Sequence, residues 1–289
     1  MLPYIDLHVH SSMSLDGCTP VSDIPAIAKE QMVGVISITD HNHLTDVEPL
    51  RNAHPDMIFI QGAELSSCFT DSNGLQHEVH VGGHNLPLDN FWLNEVIKKK
   101  DNFDHEGYIR EILYKLKCRG IDISFSEVLE YCSVDQLPSR SCVAKAMMAR
   151  GYGSFGEIYD RWLGERGEKL AFVSKASQYA QLEEVVSAIM CSGGTPILNH
   201  ILFCRLGDEE NRRLCRIFKD MTGDKGGIET AYAGFSSYGQ AIVHSYAEKY
   251  NLLRSCGSDY HGRDDRTSMG FPRSSCDEQL LELLLIPPL

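Results

Sequence analysis

His8 and His10 are separated by a single residue near the start of the chain. Apolar and polar residues alternate over positions 4–10, and a period of two predicts a β-strand. On that strand both imidazoles lie on one face, where together they can bind one divalent metal ion. The pair alone is a weak signal, because histidines are also common as surface residues and as hydrogen-bonded core residues.

Further histidines and carboxylates follow, most of them at the ends of later predicted strands. Imidazole and carboxylate are ligands of divalent metals, and nine such residues are enough to hold two or three ions. Their recurrence at one end of successive strands predicts that the fold brings them together. The nine candidate ligands are His8, His10, Asp16, His41, Glu64, His80, His200, Asp259 and His261.

Three neighbouring residues have ligand chemistry but are interpreted differently. Asp40 precedes His41 and is expected to orient a ligand rather than to bind metal. His77 is an alternative to His80, and the surrounding pattern E-V-H-V-G-G favours His80. His43 is interpreted as a loop residue.

The elements that must position these residues are seven predicted strands, mostly separated by helical patterns. The strands cover 4–10, 33–39, 57–60 leading into 62–64, 78–81, 195–199, 227–231 and 252–257. Alternating strands and helices are typical of an α/β architecture with a parallel sheet. Ligand residues at nearly every strand end favour a closed or distorted barrel over an open sheet.

Residues 101–174 interrupt this alternation with a mainly helical pattern and a Gly-rich, basic segment at 164–169. We interpret this stretch as an insertion, a lid, so that the barrel domain comprises 1–100 and 175–289. Arg140 is its first candidate for a substrate contact, because a guanidinium matches phosphate with two parallel hydrogen bonds. Arg161 and Lys169 are further candidates. The alternative for all three is an ordinary solvated surface charge.

Composition and charge limit the range of functions. The chain has 289 residues, of which 43% are hydrophobic and 23% charged, a balance typical of soluble globular proteins. Its net charge of -13 argues against a surface that grips long duplex nucleic acid, although bound metal ions would attract an anionic substrate locally.

The sequence also predicts the cellular location. No run approaches the roughly 20 apolar residues of a membrane-spanning helix. The first residues lack the basic and apolar regions of a signal peptide. Ten cysteines without C-x-x-C spacing indicate reduced thiols, and a cytoplasmic location is expected. The oligomeric state has no signature in the sequence.

Five short patterns occur in order along nearly the whole chain: H-x-H, T-D-H, G-x-E, G-G-x-x-x-L-x-H and G-S-D-x-H. Together they resemble the PHP (polymerase and histidinol phosphatase) family of metal-dependent phosphoesterases. The resemblance implies a distorted seven-stranded β/α barrel, which agrees with the seven strands predicted above. It is strongest to small bacterial nucleoside 3′,5′-bisphosphate phosphatases and short-RNA 5′ exonucleases, which carry a similar helical insertion.

The resemblance also implies how the ligands are shared among two or three ions. Manganese, iron or zinc suits a histidine-rich site better than magnesium alone, since magnesium prefers oxygen ligands. The implied ligand sets are His8, His10, Glu64 and Asp259 for one ion; Glu64, His80 and His200 for a second; and Asp16, His41 and His261 for a third.

The implied activity is hydrolysis of phosphomonoesters of small nucleotides, or at the 5′ ends of short RNA. His200, His261 and Asp16 are the candidate catalytic residues, and either histidine can protonate the leaving group where metal does not occupy it. At the lid position where the family usually has a histidine, this chain has Cys142.

Three alternatives stay open. A histidinol-phosphate phosphatase would use the same site. An amidohydrolase-like hydrolase of C–N bonds also uses an H-x-H strand, but usually adds a metal-bridging lysine or carbamate and a later histidine pair, which we do not find. A non-catalytic module would have lost ligands, whereas all nine positions here hold competent residues.

Overall fold

Seven strands form one sheet in the computed structural model, which describes residues 4–14, 16–132, 137–164, 168–262 and 268–285. Their order in the sheet equals their order in the chain. The sheet nearly closes, because His8 and His10 at the first strand exchange backbone hydrogen bonds with Asp259 and Tyr260 after the last. The strands are β1 (Tyr4–Val9), β2 (Val33–Ile38), β3 (Ile58–Thr70), β4 (Gln76–His84), β5 (Thr195–Leu198), β6 (Gly227–Tyr232) and β7 (Leu253–Gly257).

The prediction of an α/β barrel with seven strands is confirmed, but the predicted parallel pairing of the sheet does not hold at β4. This strand runs antiparallel to both β3 and β5, whereas the other neighbours pair in parallel. The reason is a short connection: Asp71 and Leu75 close a turn around Gly74, whose φ is +80°. A parallel pair would need a crossover of a dozen or more residues.

The barrel helices are amphipathic and bury one face against the sheet. On α9 (Asp208–Thr222), Leu214, Cys215 and Phe218 follow the three- and four-residue spacing of a helix face and are fully buried. Six strands each contribute one buried apolar residue to a further cluster, which is completed by Cys276 and by Leu280 and Leu284 of α11 (Glu278–Leu285). The barrel helices are α1 (Ile24–Glu30), α2 (Glu48–Ala53), α3 (Phe91–Lys98), α8 (Leu182–Cys191), α9 (Asp208–Thr222), α10 (Ser237–Tyr250) and α11 (Glu278–Leu285).

The chain divides into two compact units. The first comprises Met1–Lys100 and Tyr179–Leu289 and contains the barrel, and the second is Asp101–Gln178. The second unit has its own apolar core, and the structure describes helices but no sheet strand in it. Its α-helices are α4 (His105–Lys117), α5 (Phe125–Leu129), α6 (Arg140–Ala149) and α7 (Phe155–Ile158). That it acts as a lid stays a prediction. Within the described ranges, no helix combines the length and apolar character needed to cross a membrane.

Candidate metal centre

The nine predicted ligands lie together in the barrel unit. Five lie within four residues after the end of a strand, as His200 lies two residues after β5 and Asp259 two residues after β7. Glu64 lies in the middle of β3, because this strand continues to Thr70, past the predicted end at residue 64. His80 lies within β4, the fourth strand, on which the sequence also placed it. The cluster therefore draws residues from elements at both ends of the chain.

Glu64 is the centre of the cluster. Its side chain is fully buried, and five imidazoles lie within 3.5 Å of its two carboxylate oxygens. The distances to Oε1 are 3.2 Å from His8 Nε2, 3.3 Å from His80 Nδ1 and 3.0 Å from His200 Nε2. The distances to Oε2 are 3.0 Å from His41 Nδ1 and 3.5 Å from His10 Nε2.

The orientation of His8 follows from Glu229 on β6. The Nδ1 atom of His8 lies 3.0 Å from Glu229 Oε1. A carboxylate only accepts hydrogen bonds, so Nδ1 carries a proton. In the neutral ring Nε2 is then an acceptor, and its lone pair is directed towards Glu64 and Asp259.

His10 is oriented in the same sense through Ser14. The Ser14 hydroxyl donates to Asp40 Oδ1 over 2.9 Å, so its single proton is used there. Its oxygen lies 3.1 Å from His10 Nδ1, which must therefore be the donor. Burial lowers the pKa of His10 to about 4, so this ring is neutral. Asp40 thus acts on a candidate ligand indirectly, through Ser14.

These orientations direct the lone pairs of the His8 and His10 Nε2 atoms towards the same small volume. His8 Nε2 and His10 Nε2 are 3.1 Å apart, and Asp259 Oδ1 lies 3.3 and 3.2 Å from them. Among the described residues, buried Glu64 Oε2 and His80 Nδ1 lack a hydrogen bond of good geometry. Acceptor atoms this close repel one another unless a proton or a metal ion lies between them, and mixed imidazole and carboxylate donors suit divalent transition metals. The residues present therefore fit the metal ions that the sequence predicts.

Four sets of three residues bring their ligand atoms within 4.8 Å of one another. Glu64 belongs to two sets, and Asp16 Oδ2 extends the last one, lying 3.1 Å from His261 Nε2. Compared with the implied scheme, His10 also lies beside His41 and His261. Which residues share an ion stays a prediction. The sets are His8, His10 and Asp259; His8, Glu64 and His200; His41, Glu64 and His80; and His10, His41 and His261.

Negative charge dominates the electrostatics of the cluster. Burial opposes protonation of His8, but Glu64, Glu229 and Asp259 outweigh it and raise its pKa well above the ordinary value. Burial also opposes protonation of His41, yet Glu64 and Asp16 raise its pKa to about 9. The negative electrostatic potential that raises these pKa values also attracts a divalent cation.

The sequence reasoning missed several residues that contact the candidate ligands. Glu229 Oε2 also accepts from the His200 backbone N–H over 2.8 Å. Asn199 Nδ2 donates to Glu64 Oε1, Glu78 Oε1 lies 3.1 Å from His80 Nε2, and the Tyr232 hydroxyl donates to Asp259 Oδ2. Asn199 and Glu78 are sequence neighbours of candidate ligands, a signal that could have found them. Glu229 and Tyr232 have no such signal.

His77, which the sequence analysis considered as an alternative to His80, pairs with a residue outside the cluster. His77 Nε2 is 3.0 Å from Asp71 Oδ2 at the end of the hairpin. Among the described residues, it belongs to none of the four ligand sets. His80, three residues later, contacts Glu64.

The candidate substrate contacts all lie in the second unit. Arg140 Nη1 donates to the Leu163 carbonyl over 3.2 Å, and its guanidinium lies over the Phe172 ring. Arg161 lies over Trp162, and Lys169 is close to Phe172. Cys142 is 1% exposed and belongs to the apolar core of this unit. The roles of the three cationic residues towards a substrate stay predictions.

A nearly closed α/β barrel with a buried histidine and carboxylate cluster is typical of metal-dependent hydrolases. The PHP domain profile matches residues 6–192, and the chain belongs to the PHP family. The predicted class of enzyme, a metal-dependent hydrolase of the phosphoesterase type, is confirmed by this match and by the relatives described next.

Two curated relatives are ribonucleases. The chain is 25% identical over 259 residues to a 5′-3′ exoribonuclease of Haemophilus influenzae, covering 89% of each chain. It is 26% identical over 263 residues to the 5′-3′ exoribonuclease Rnm of Escherichia coli, covering 89% of this chain and 84% of that one. Both alignments extend through the barrel and the helical unit.

Two solved structures share the fold. An amidohydrolase from Chromobacterium violaceum superposes with a TM-score of 0.66 at 23% identity, covering 99% of each chain. A protein from Bifidobacterium adolescentis described as a metal-dependent phosphoesterase has a TM-score of 0.58 at 18% identity, covering 97% of this chain and 95% of that one. At these identities the likeness concerns the fold.

Proposed function

We propose that this protein hydrolyses phosphomonoesters of small nucleotides, such as nucleoside 3′,5′-bisphosphates, or acts at the 5′ ends of short RNA. The observation that carries the proposal is the buried Glu64 carboxylate with five imidazoles within 3.5 Å. The two exoribonuclease relatives, aligned over 89% of the chain, support a nucleotide or RNA substrate.

Two or three divalent ions would be held by the nine candidate ligands, with Glu64 shared between ions. Such ions supply Lewis acidity, which lowers the pKa of water to about 7 and neutralises charge on phosphoryl oxygens. The histidine-rich donor set favours manganese, iron or zinc over magnesium. Glu229 and Ser14 hold His8 and His10 with their Nε2 atoms facing this volume.

His200 and His261 are the candidate proton donors to the leaving oxygen. His200 Nε2 faces Glu64, and its backbone N–H is held by Glu229. His261 Nδ1 donates to the Asp259 carbonyl, which leaves Nε2 facing Asp16 at 3.1 Å. The carboxylates of Asp16 and Asp259 raise the pKa of His261 against the opposing effect of burial.

Substrates whose leaving groups differ in basicity distinguish a proton donor from a residue that only holds metal. A nucleoside oxygen needs a proton as it departs, whereas 4-nitrophenolate does not. The variant that removes the proton donor should lose kcat on the nucleotide far more than on 4-nitrophenyl phosphate. His200→Asn and His261→Asn are to be compared on both substrates. A residue that only holds metal should affect both equally.

Phosphate release from a defined panel tests the function. The protein, loaded with manganese, is assayed on adenosine 3′,5′-bisphosphate, 5′-AMP, histidinol phosphate and a short 5′-phosphorylated RNA. Metal-dependent hydrolysis of the bisphosphate or the RNA is expected. Hydrolysis of histidinol phosphate alone would favour that phosphatase instead, and hydrolysis of none, with metal confirmed in the protein, would contradict the proposal.

Two histidines of the same strand form a matched pair of variants. His80→Ala removes a contact to Glu64 and should abolish activity, as should His10→Ala. His77→Ala removes a histidine that pairs with Asp71 outside the ligand sets, and should leave activity within about twofold. Equal loss in His77→Ala and His80→Ala would mean that the cluster is not the active site.

Arg140 is the first candidate for binding a second phosphate. Arg140→Ala should raise KM for adenosine 3′,5′-bisphosphate by about tenfold or more, since charge-assisted hydrogen bonds contribute about 1.5–3 kcal/mol. Arg150→Ala is the control in the same unit, because Arg150 forms a bidentate pair with Glu127. Arg161→Ala and Lys169→Ala extend the series. No change in KM in any of the three would remove them from the proposed site.

A further inference from the structure

Phe203 presents an exposed aromatic ring immediately beside the metal centre. It lies in the 3-10 turn Ile201–Cys204, which begins one residue after His200. Its backbone N–H donates to the His200 carbonyl over 2.8 Å. The two rings meet edge to face with centroids 6.4 Å apart, and 45% of Phe203 remains exposed.

The turn fixes this ring relative to the candidate ligand. His200 before it and Arg205 after it both have positive φ, +27° and +56°, an uncommon conformation for residues other than glycine. Such a conformation persists only where the surrounding contacts impose it. The position of the Phe203 ring is therefore tied to that of the His200 imidazole.

Two further aromatic residues support the ring from behind. Phe235 is buried and stacks with Phe203 at a centroid distance of 6.0 Å and an interplanar angle of 22°. Tyr232, which also contacts His200 and donates to Asp259, lies edge to face at 5.4 Å. The three rings form a rigid apolar surface that is continuous with the metal centre. We call Phe203, Tyr232 and Phe235 the aromatic platform.

Gly234 keeps this platform uncovered. A Cβ atom at this position would lie 2.5 Å from Tyr232 Cε1 and 3.1 Å from Phe203 Cζ. Any larger side chain would displace the ring edges or cover them. Glycine here leaves the rings closely packed and one of them open to solvent.

We infer that the aromatic platform is a stacking surface for the base of the nucleotide whose phosphate reaches the metal centre. The inference rests on the proposed function and specifies its substrate as a nucleotide bound by its base as well as its phosphate. Every nucleobase has a π-face, so an exposed phenyl ring binds bases with little sequence preference. The position of Phe203 beside His200 suits a base attached through its sugar to a phosphate at the cluster.

Binding of two matched analogues tests the inference without turnover. The ligands are the non-hydrolysable phosphonate analogues of 5′-AMP and of ribose 5-phosphate, which differ only in the base. Calorimetry with the manganese-loaded protein should give a Kd about tenfold lower for the analogue with the base. In Phe203→Leu that ratio should fall to near one, while Phe203→Tyr should keep it.

Phe91→Leu is the matched control, because Phe91 is also exposed but lies on α3 and contacts Trp92 rather than a candidate ligand. It should leave the ratio unchanged. An unchanged ratio in Phe203→Leu, or a ratio near one in the wild type, would overturn the inference. Hydrolysis of the 5′-phosphorylated RNA, measured on the same preparations and lost in His10→Ala, would then show that the proposed function stands without the stacking surface.

Discussion

Asn199 donates a hydrogen bond from Nδ2 to Glu64 Oε1 over 2.9 Å. The same oxygen lies 3.0 Å from Nε2 of His200, the next residue in the chain. Gly82 makes room for this amide: a Cβ atom there would lie 2.9 Å from Asn199 Oδ1 and 3.2 Å from Nδ2. Asn199 therefore orients the one carboxylate that five imidazoles share.

Loss of this amide should weaken metal binding. Asn199→Ala is expected to reduce manganese affinity and kcat by about 10- to 100-fold, the usual effect of removing a residue that holds a metal ligand. Gly82→Ala should give a smaller loss in the same direction by displacing the amide. Titration calorimetry with manganese measures the affinity. Wild-type affinity in Asn199→Ala would mean that Glu64 is held without it.

The negative charge of Glu229 should strengthen metal binding, because this carboxylate accepts a hydrogen bond from His8. Glu229→Gln retains the shape of the side chain but removes the carboxylate that accepts from His8 Nδ1. We expect about a tenfold or greater loss of manganese affinity with little change in the folded structure. Glu209→Gln, an exposed change on α9, is the control. Equal affinities in the two variants would rule out this role for Glu229.

Metal binding should release protons near neutral pH. Neighbouring carboxylates raise the pKa of His8 and His80 well above the ordinary value against the opposing effect of burial, so a proton is favoured on these rings. They raise the pKa of His41 to about 9, so this ring is protonated in the metal-free protein at pH 7. A metal ligand must be a neutral imidazole, so binding displaces these protons. The proton released from His41 on metal binding should no longer be detected as the pH rises through about 9, because this ring is then already neutral.

Calorimetric titrations in buffers of different ionisation enthalpy measure this release. The apparent binding enthalpy should vary strongly with buffer at pH 7 and less above pH 9. His41→Ala should reduce the number of protons released at pH 7. A binding enthalpy that is independent of buffer at pH 7 would contradict the prediction.

Removal of metal should destabilise the fold. Ligands that bind only the folded state stabilise it by about 2.7 kcal/mol at a concentration of one hundred times Kd. Manganese should therefore raise Tm by several degrees relative to protein treated with a chelator. His10→Ala should lose most of this shift, whereas His77→Ala should retain it. A shift that survives in His10→Ala would indicate that the metal stabilises the protein elsewhere.

The sequence alone determined the parts of the site that depend on local pattern. Alternation along β1 places His8 and His10 on one face, and the remaining candidate ligands are found by their positions at or near strands. The direction of β4 could also have been predicted from the sequence, because the short turn at Gly74 permits only an antiparallel pair.

The tertiary structure alone decided how these residues are oriented. Which nitrogen of His8 faces the cluster depends on Glu229, 221 residues further along the chain, and the carboxylate of Glu64 is held by Asn199 at a separation of 135 residues. No local pattern encodes such contacts, because they arise only when the sheet brings distant strands side by side. For the same reason the aromatic platform is visible only in the folded protein, since it joins Phe203 after β5 to Tyr232 at the end of β6 and Phe235 beyond it.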